Sequence, residues 1–165
     1  MANRNKALEA LSQALKLEKE GRAFYLKAAE DTVNEKGRAM FLSLADDEKI
    51  HAEMIQRQIQ AIEGHGTYAL MPDLEVADID LDAKLFPPER EGAEERIGPN
   101  PNQLDALHLA LEIEIRSYDL YRAAASETDQ GAGRQMYQWL ASAEMTHFNL
   151  LMSNYESLVS LGGWV

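Results

Sequence analysis

The stretch LADDEKIHAEM, Leu44 to Met54, decides how this chain is read. Apolar residues at helical spacing run through Phe41, Leu44, Ile55 and Ile62, and the two positions that complete their stripe are Glu48 and His51. A carboxylate and an imidazole therefore stand where a helical core wants leucine. Burying an unpaired ionised carboxylate costs several kcal/mol even after relaxation. Either this face lies in water or something cationic answers it.

Working outward, a period of 3.6 marks four long stretches. The first, about Asn3 to Asp31, carries the stripe Leu8, Leu11, Leu15, Glu18, Tyr25, Ala28. The second, about Glu35 to Glu63, contains the opening motif and is expected to stop at Gly64, His65 and Gly66. The third, about Asn102 to Thr128, follows Pro101 and carries Leu104, Leu107, Leu111, Glu114, Tyr121, Ala124. The fourth, about Gly131 to Ser160, carries Met136, Leu140, Glu144, His147, Leu151, Leu158 and ends before Gly162-Gly163. Residues 64–101 concentrate proline and acidic residues and read as a connection.

Helices of about 28 residues are some 40 Å long. Short links at Val33 and Gln130 make antiparallel neighbours, whereas 64–101 can travel back along the whole bundle. The expected fold is all-α: a four-helix bundle of one domain, 1–165, with helix pair 3–63, one long crossover 64–101 between helices 2 and 3, and helix pair 102–160.

The two pairs repeat each other. A shift of 96 positions, without a gap, places Leu8 on Leu104, Leu11 on Leu107, Leu15 on Leu111, Glu18 on Glu114, Tyr25 on Tyr121, Gly37 on Gly133, Met40 on Met136, Leu44 on Leu140, Glu48 on Glu144 and His51 on His147. Agreement of this kind marks an internal duplication and predicts a pseudo-two-fold axis. A single E-x-x-H is a weak signal, but here two copies each have a further stripe glutamate on the preceding helix at the same offset, Glu18 and Glu114. Residues i and i+3 share a helix face about 5–6 Å apart. Glu48 with His51, Glu144 with His147, and Glu18 and Glu114 opposite them are thus expected to meet at mid-bundle as metal ligands.

Charge arithmetic answers the opening question. Four buried carboxylates are neutralised by two divalent cations while both imidazoles stay neutral and coordinating. Glu48 and Glu144 are the natural bridges, with Glu18 and Glu114 each capping one ion. Oxygen ligands plus one imidazole per ion suit two iron ions or manganese, with zinc as a substitute. Around the ligands, Tyr25 and Tyr121 lie two turns beyond Glu18 and Glu114 and read either as hydrogen-bond donors to ligand carboxylates or as core aromatics. Asp47, whose repeat partner is Ala143, reads either as a support for a cross-helix imidazole or as part of an exposed face. Ser117, matched by Gly21, leaves room for a small oxidant or permits close helix packing. His65, between glycines, reads as a solvated loop residue, and His108 as a helix residue without chemistry. The run EREGAEER, 89–96, reads as a solvated charge cluster.

Bulk properties agree. The chain has 28 Asp plus Glu against 16 Lys plus Arg, a formal charge of −12, which argues against a phosphate backbone as partner and draws cations instead. It contains no Cys, so disulfides, thiolate nucleophiles and cysteine-held metals are excluded. No nucleotide-binding loop, nucleophile elbow or H-E-x-x-H occurs. Without an apolar leader or a run of roughly 20 apolar residues, a cytoplasmic protein away from membranes is expected.

At these residues the sequence resembles the rubrerythrin branch of the ferritin-like superfamily. ALKLEKEGRAFYLKAAE with FLSLADDEKIHAEM is similar to its first helix pair, and LALEIEIRSYDLYRAAASE with WLASAEMTHFNLL to its second. The ligand pattern of ferritin-like di-iron proteins, a Glu from each of two helices plus E-x-x-H from each of the other two, falls on Glu18, Glu48, His51, Glu114, Glu144 and His147. The resemblance implies a non-haem di-iron oxidoreductase that reduces hydrogen peroxide or dioxygen. An iron-handling ferroxidase and a bundle merely stapled by metal are the alternatives. Two departures shape the expectation. Rubrerythrins carry a cysteine-rich rubredoxin domain, absent here, so a separate electron-donor protein is expected. They also carry an extra glutamate one turn after the third-helix ligand, where this chain has Ser117, so a more symmetric site is expected. The family also implies a homodimer.

Overall fold

The computed structural model describes residues 2–88 and 101–165. Four helices, α1 (Ala2–Asp31), α2 (Glu35–His65), α3 (Pro101–Glu127) and α4 (Gly131–Leu161), account for the regular structure among them. The fold is all-α, a ferritin-like four-helix bundle. Helix bounds follow the sequence reading to within two residues, with one instructive difference. Helix α2 runs through Gly64 and ends at His65, because the residue that turns the chain is Gly66, at φ 74°. Its amide caps Ile62 O in the left-handed conformation that glycine adopts without steric cost. His65 is accordingly the exposed last residue of a helix and not a loop residue. The run EREGAEER lies outside the described residues.

Cross-helix contacts give the directions of the helices. Lys6 at the start of α1 pairs with Glu127 at the end of α3 at 2.9 Å, and Tyr25 meets Glu114 while Tyr121 meets Glu18, so α1 and α3 are antiparallel. Arg4 reaches Glu63 O, and α1 and α2 are antiparallel as well. It follows that α2 and α3 point the same way, and the chain between them must return along the bundle. The described part of that crossover does so. Ala69 is held by both ends of the Gln58 amide, Gln135 donates to Leu74 O, Arg122 to Leu81 O, and Tyr118 to Ala83 O, stepping back along α3.

The pseudo-two-fold axis extends beyond what the helices alone predict. Gly162 mirrors Gly66, with φ 73° and the same cap. After each of these glycines the chain delivers an aromatic ring onto the other half. Tyr68 covers Gly133, and Trp164 covers Gly37; a methyl group on either glycine would fall within 2.7–2.9 Å of ring and threonine atoms. Asn154 accepts from Val165 N as Gln58 accepts from Ala69 N. These are the same positions 96 residues apart.

The apolar core lies in two clusters above and below the middle of the bundle. One gathers Tyr25, Phe41, Leu44, Leu107, Leu111 and Leu151; the other Leu11, Ile55, Ile62, Tyr121, Tyr137 and Leu140. Between them the stripes turn polar.

Candidate metal centre

Each of the six expected side chains is buried: Glu18, Glu48, His51, Glu114, Glu144 and His147 are all at most 6% exposed. The i and i+3 spacing puts Glu48 and His51 on the inner face of α2, and Glu144 and His147 on that of α4. Helices α1 and α3 bring Glu18 and Glu114 to the same level. His51 Nδ1 lies 3.3 Å from Glu18 Oε2, 3.4 Å from Glu48 Oε2 and 3.3 Å from Glu144 Oε1. His147 Nδ1 lies 3.4 Å from Glu48 Oε1, 3.5 Å from Glu114 Oε2 and 3.4 Å from Glu144 Oε2. The two rings stack at 5.5 Å across the pseudo-axis.

The chemistry of the donor set can be tested directly. Glu18 Oε2, Glu114 Oε2, both oxygens of Glu144 and Nδ1 of both histidines are fully buried without a hydrogen-bond partner. Such orphaned groups are rare because each costs about 1–3 kcal/mol, more when charged. They fall into two sets that could each hold a metal ion: Glu18, Glu48, His51 and Glu144, and Glu48, Glu114, Glu144 and His147, with donor atoms in each set within 4.8 Å of one another. Donors bound at roughly 2.0–2.2 Å to one ion lie at most about 4.4 Å apart. Both sets are thus compact enough for donors to converge on one ion each, and Glu48 and Glu144 belong to both.

Electrostatics shows what the cluster must do with only protons to balance it. Burial, reinforced by the neighbouring Glu48, pushes the Glu18 carboxyl up to about 8. Burial and the adjacent Glu144 raise Glu114 well above the carboxylate range. For Glu48 burial acts upward too, but the proton on Glu18 and the two imidazoles outweigh it and hold it below the ordinary value. Both imidazoles are raised against the cost of burial, His51 by Glu144, Glu18 and Glu48, and His147 first by Asp47. The cluster thus balances its charge by sharing protons among its carboxyls and imidazoles.

Outer contacts bear on the readings of Tyr25 and Tyr121, of Asp47 and of the Gly21–Ser117 pair. Tyr25 donates to Glu114 Oε1 and Tyr121 to Glu18 Oε1, each phenol crossing from the helix of one half to the glutamate of the other. Burial, with those carboxylates beside them, raises both phenols well above their usual value, so they remain donors. Asp47 Oδ2 lies 3.2 Å from His147 Nε2. Gly21 sits against the Glu48 carboxyl, and a Cβ there would meet Ile113 at 3.5 Å and Glu48 at 3.8 Å, an ordinary contact; the glycine is not required by crowding. Ser117 is buried. His108 is buried at 7% exposure, with Glu112 at 3.5 Å, outside the cluster.

Sequence reasoning did not single out Tyr68, Trp164, Gln58 and Asn154, which join the halves at the two ends of the seam. The repeat itself carried the signal, since continuing the 96-residue shift aligns Gln58 with Asn154, Gly66 with Gly162 and Tyr68 with Trp164.

Fold and site together define a ferritin-like helical bundle whose buried glutamate and histidine cluster could bind metal. Residues 9–78, most of the first helix pair and the start of the crossover, match the Rubrerythrin family. A solved structure, a hypothetical protein from Pyrococcus furiosus, is similar at TM-score 0.70 and 22% identity over 96% of this chain and 93% of that one, a likeness of fold. No curated protein matches the sequence. Among the described residues no helix is long and apolar enough to cross a membrane.

Proposed function

We propose that the cluster holds two iron ions and that the protein is a di-iron oxidoreductase, reducing hydrogen peroxide or dioxygen with electrons from a separate donor protein. The observation that supports it most is the sharing of Glu48 and Glu144 between two donor sets, each completed by one capping glutamate and one imidazole. Four carboxylates against two divalent ions leave the site neutral, which no single ion achieves. Manganese or zinc would occupy the same ligands.

A pair of bound ferrous ions supplies the two electrons that, with two protons, convert hydrogen peroxide to two waters. The chain's own residues set the conditions for that exchange. Glu48 and Glu144 would hold the ions side by side, and Glu18 with His51, and Glu114 with His147, would fix the outer position of each. Tyr25 and Tyr121 orient the capping glutamates by donating to one oxygen, which leaves the other free to face the ion. Carboxyls and imidazoles that carry protons in the metal-free site surrender them on loading. The buried walls, Tyr25, Leu44, Leu111 and Leu140, exclude bulk water from the middle of the bundle. Both a cytoplasmic setting and a homodimer belong to the same reading.

The test is rapid mixing of anaerobically iron-loaded protein with hydrogen peroxide. Iron oxidation and peroxide loss faster than with free ferrous ion are expected. A rate equal to that of free ferrous ion refutes the reading. Loss of metal-dependent stability in the double variant Glu48→Ala, Glu144→Ala with no oxidant reactivity in the parent chain would instead assign the ions a purely structural role.

A further inference from the structure

The duplication makes the six-residue cluster symmetric, but the surroundings of its two imidazoles are not. His147 Nε2, the ring atom facing away from the cluster, lies 3.2 Å from Asp47 Oδ2. Its symmetric counterpart is differently placed. The repeat sets Ala143 where Asp47 stands, and Trp139, whose own counterpart is Ser43, meets the His51 ring edge-on at 5.5 Å. Among the described residues the carboxylates that pair with His51 all face its Nδ1.

This difference has a definite effect on ligand strength. A ring N–H held by a carboxylate fixes the tautomer so that the other nitrogen presents its lone pair, and it raises the basicity of that nitrogen. Loss of such an outer partner typically costs 10–100-fold in metal affinity. The two donor sets share Glu48 and Glu144, and Glu18 and Glu114 are both backed by a tyrosine, so the support of the imidazole distinguishes them. Asp47 belongs to α2 and His147 to α4, so this support crosses from one half to the other.

We infer that the two metal positions are inequivalent: the one formed by Glu48, Glu114, Glu144 and His147 binds first and tightly, Asp47 is its positioning residue, and the one formed by Glu18, Glu48, His51 and Glu144 is the exchangeable position. This rests on the di-metal reading above. It means that a half-loaded protein is a defined species and that two different divalent ions can be placed in order. The Asp47 side chain is 45% exposed, so its replacement leaves no cavity in the core.

The experiment is a calorimetric titration of the full, metal-free chain with cobalt(II), followed also by the visible spectrum of the ion. Two steps separated by 10–100-fold are expected. Asp47→Ala should weaken the first step by that factor and alter the spectrum of the first equivalent, with Asp47→Glu restoring both. His51→Ala should keep the tight step, and His147→Ala should lose it. Two ions bound with one affinity, or a tight step that Asp47→Ala leaves unchanged, overturns the inequivalence and leaves the di-metal reading standing. No binding at all overturns both.

Discussion

The metal-free bundle should lose stability as pH rises from 5.5 to 7.5, opposite to the usual behaviour of a protein held by ionised carboxylates. Glu18, 1% exposed, has its carboxyl raised from 4.5 to about 8. Between those values the folded chain holds a proton on this group that the unfolded chain has released. A raised group contributes its stability in full below the unfolded value and loses it as pH climbs through the folded one. Each such proton removes about 1.4 kcal/mol per pH unit. Two units therefore cost about 2–3 kcal/mol from Glu18, or roughly 5–10 °C in Tm for a chain of this size. Glu114 and the two histidines, raised likewise, act with the same sign, while Glu48, depressed, is ionised in both states across this window. Divalent ions displace the protons, so their binding strengthens with pH and the trend should flatten or invert. The assay is thermal unfolding in chelator and in excess manganese(II) at both pH values, on the parent chain and Glu18→Gln. A metal-free Tm that is flat or rises over this interval, or an equal slope in Glu18→Gln, refutes the reasoning.

Other outcomes follow from individual contacts. Tyr121→Phe removes the donor to Glu18 and should cost about 1–3 kcal/mol in unfolding free energy and 10–100-fold in metal affinity, read by denaturant melts and metal titration. Gly133→Ala drives a methyl into the Tyr68 ring at 2.7–2.8 Å and should destabilise by about 1–3 kcal/mol, whereas Ala at Gly131, with open space around it, should be near neutral; paired melts decide. Phe41→Tyr copies the Tyr137 of the other half, whose hydroxyl lies 3.3 Å from Tyr68. It offers a partner to the unsatisfied Trp164 Nε1 and should raise stability by about 0.5–1.5 kcal/mol, a gain that Trp164→Phe would cancel.

Much of this architecture could be read before any coordinates because two independent constraints meet in the same residues. Glu48 and His51 interrupt an apolar stripe, which local patterning detects, and the 96-residue shift copies the interruption, which chance does not supply. The direction of the crossover was legible from the contrast between links of a few residues and one of dozens. What escaped has a common cause. Whether Asp47 faces water or His147 depends on the rotation of α4 against α2, and a helical period says which face a residue occupies but not what stands across from it. Tyr68 and Trp164 each lie beyond a helix-ending glycine, where periodicity stops and a lone aromatic carries no pattern of its own. Gly64 misled for the opposite reason: a glycine near a helix end resembles a cap, yet only Gly66 adopts the positive φ that makes one.

The exchange of rings between halves, Tyr68 onto Gly133 and Trp164 onto Gly37, bears on modularity. Although the repeats look like separable units, neither can be complete by itself. A single helix pair would present a bare glycine furrow at one end, a homeless ring at the other, and half of a charged site between them. A second copy would supply all three at once. The crossover thus turns what would be an encounter between two molecules into a contact made within one.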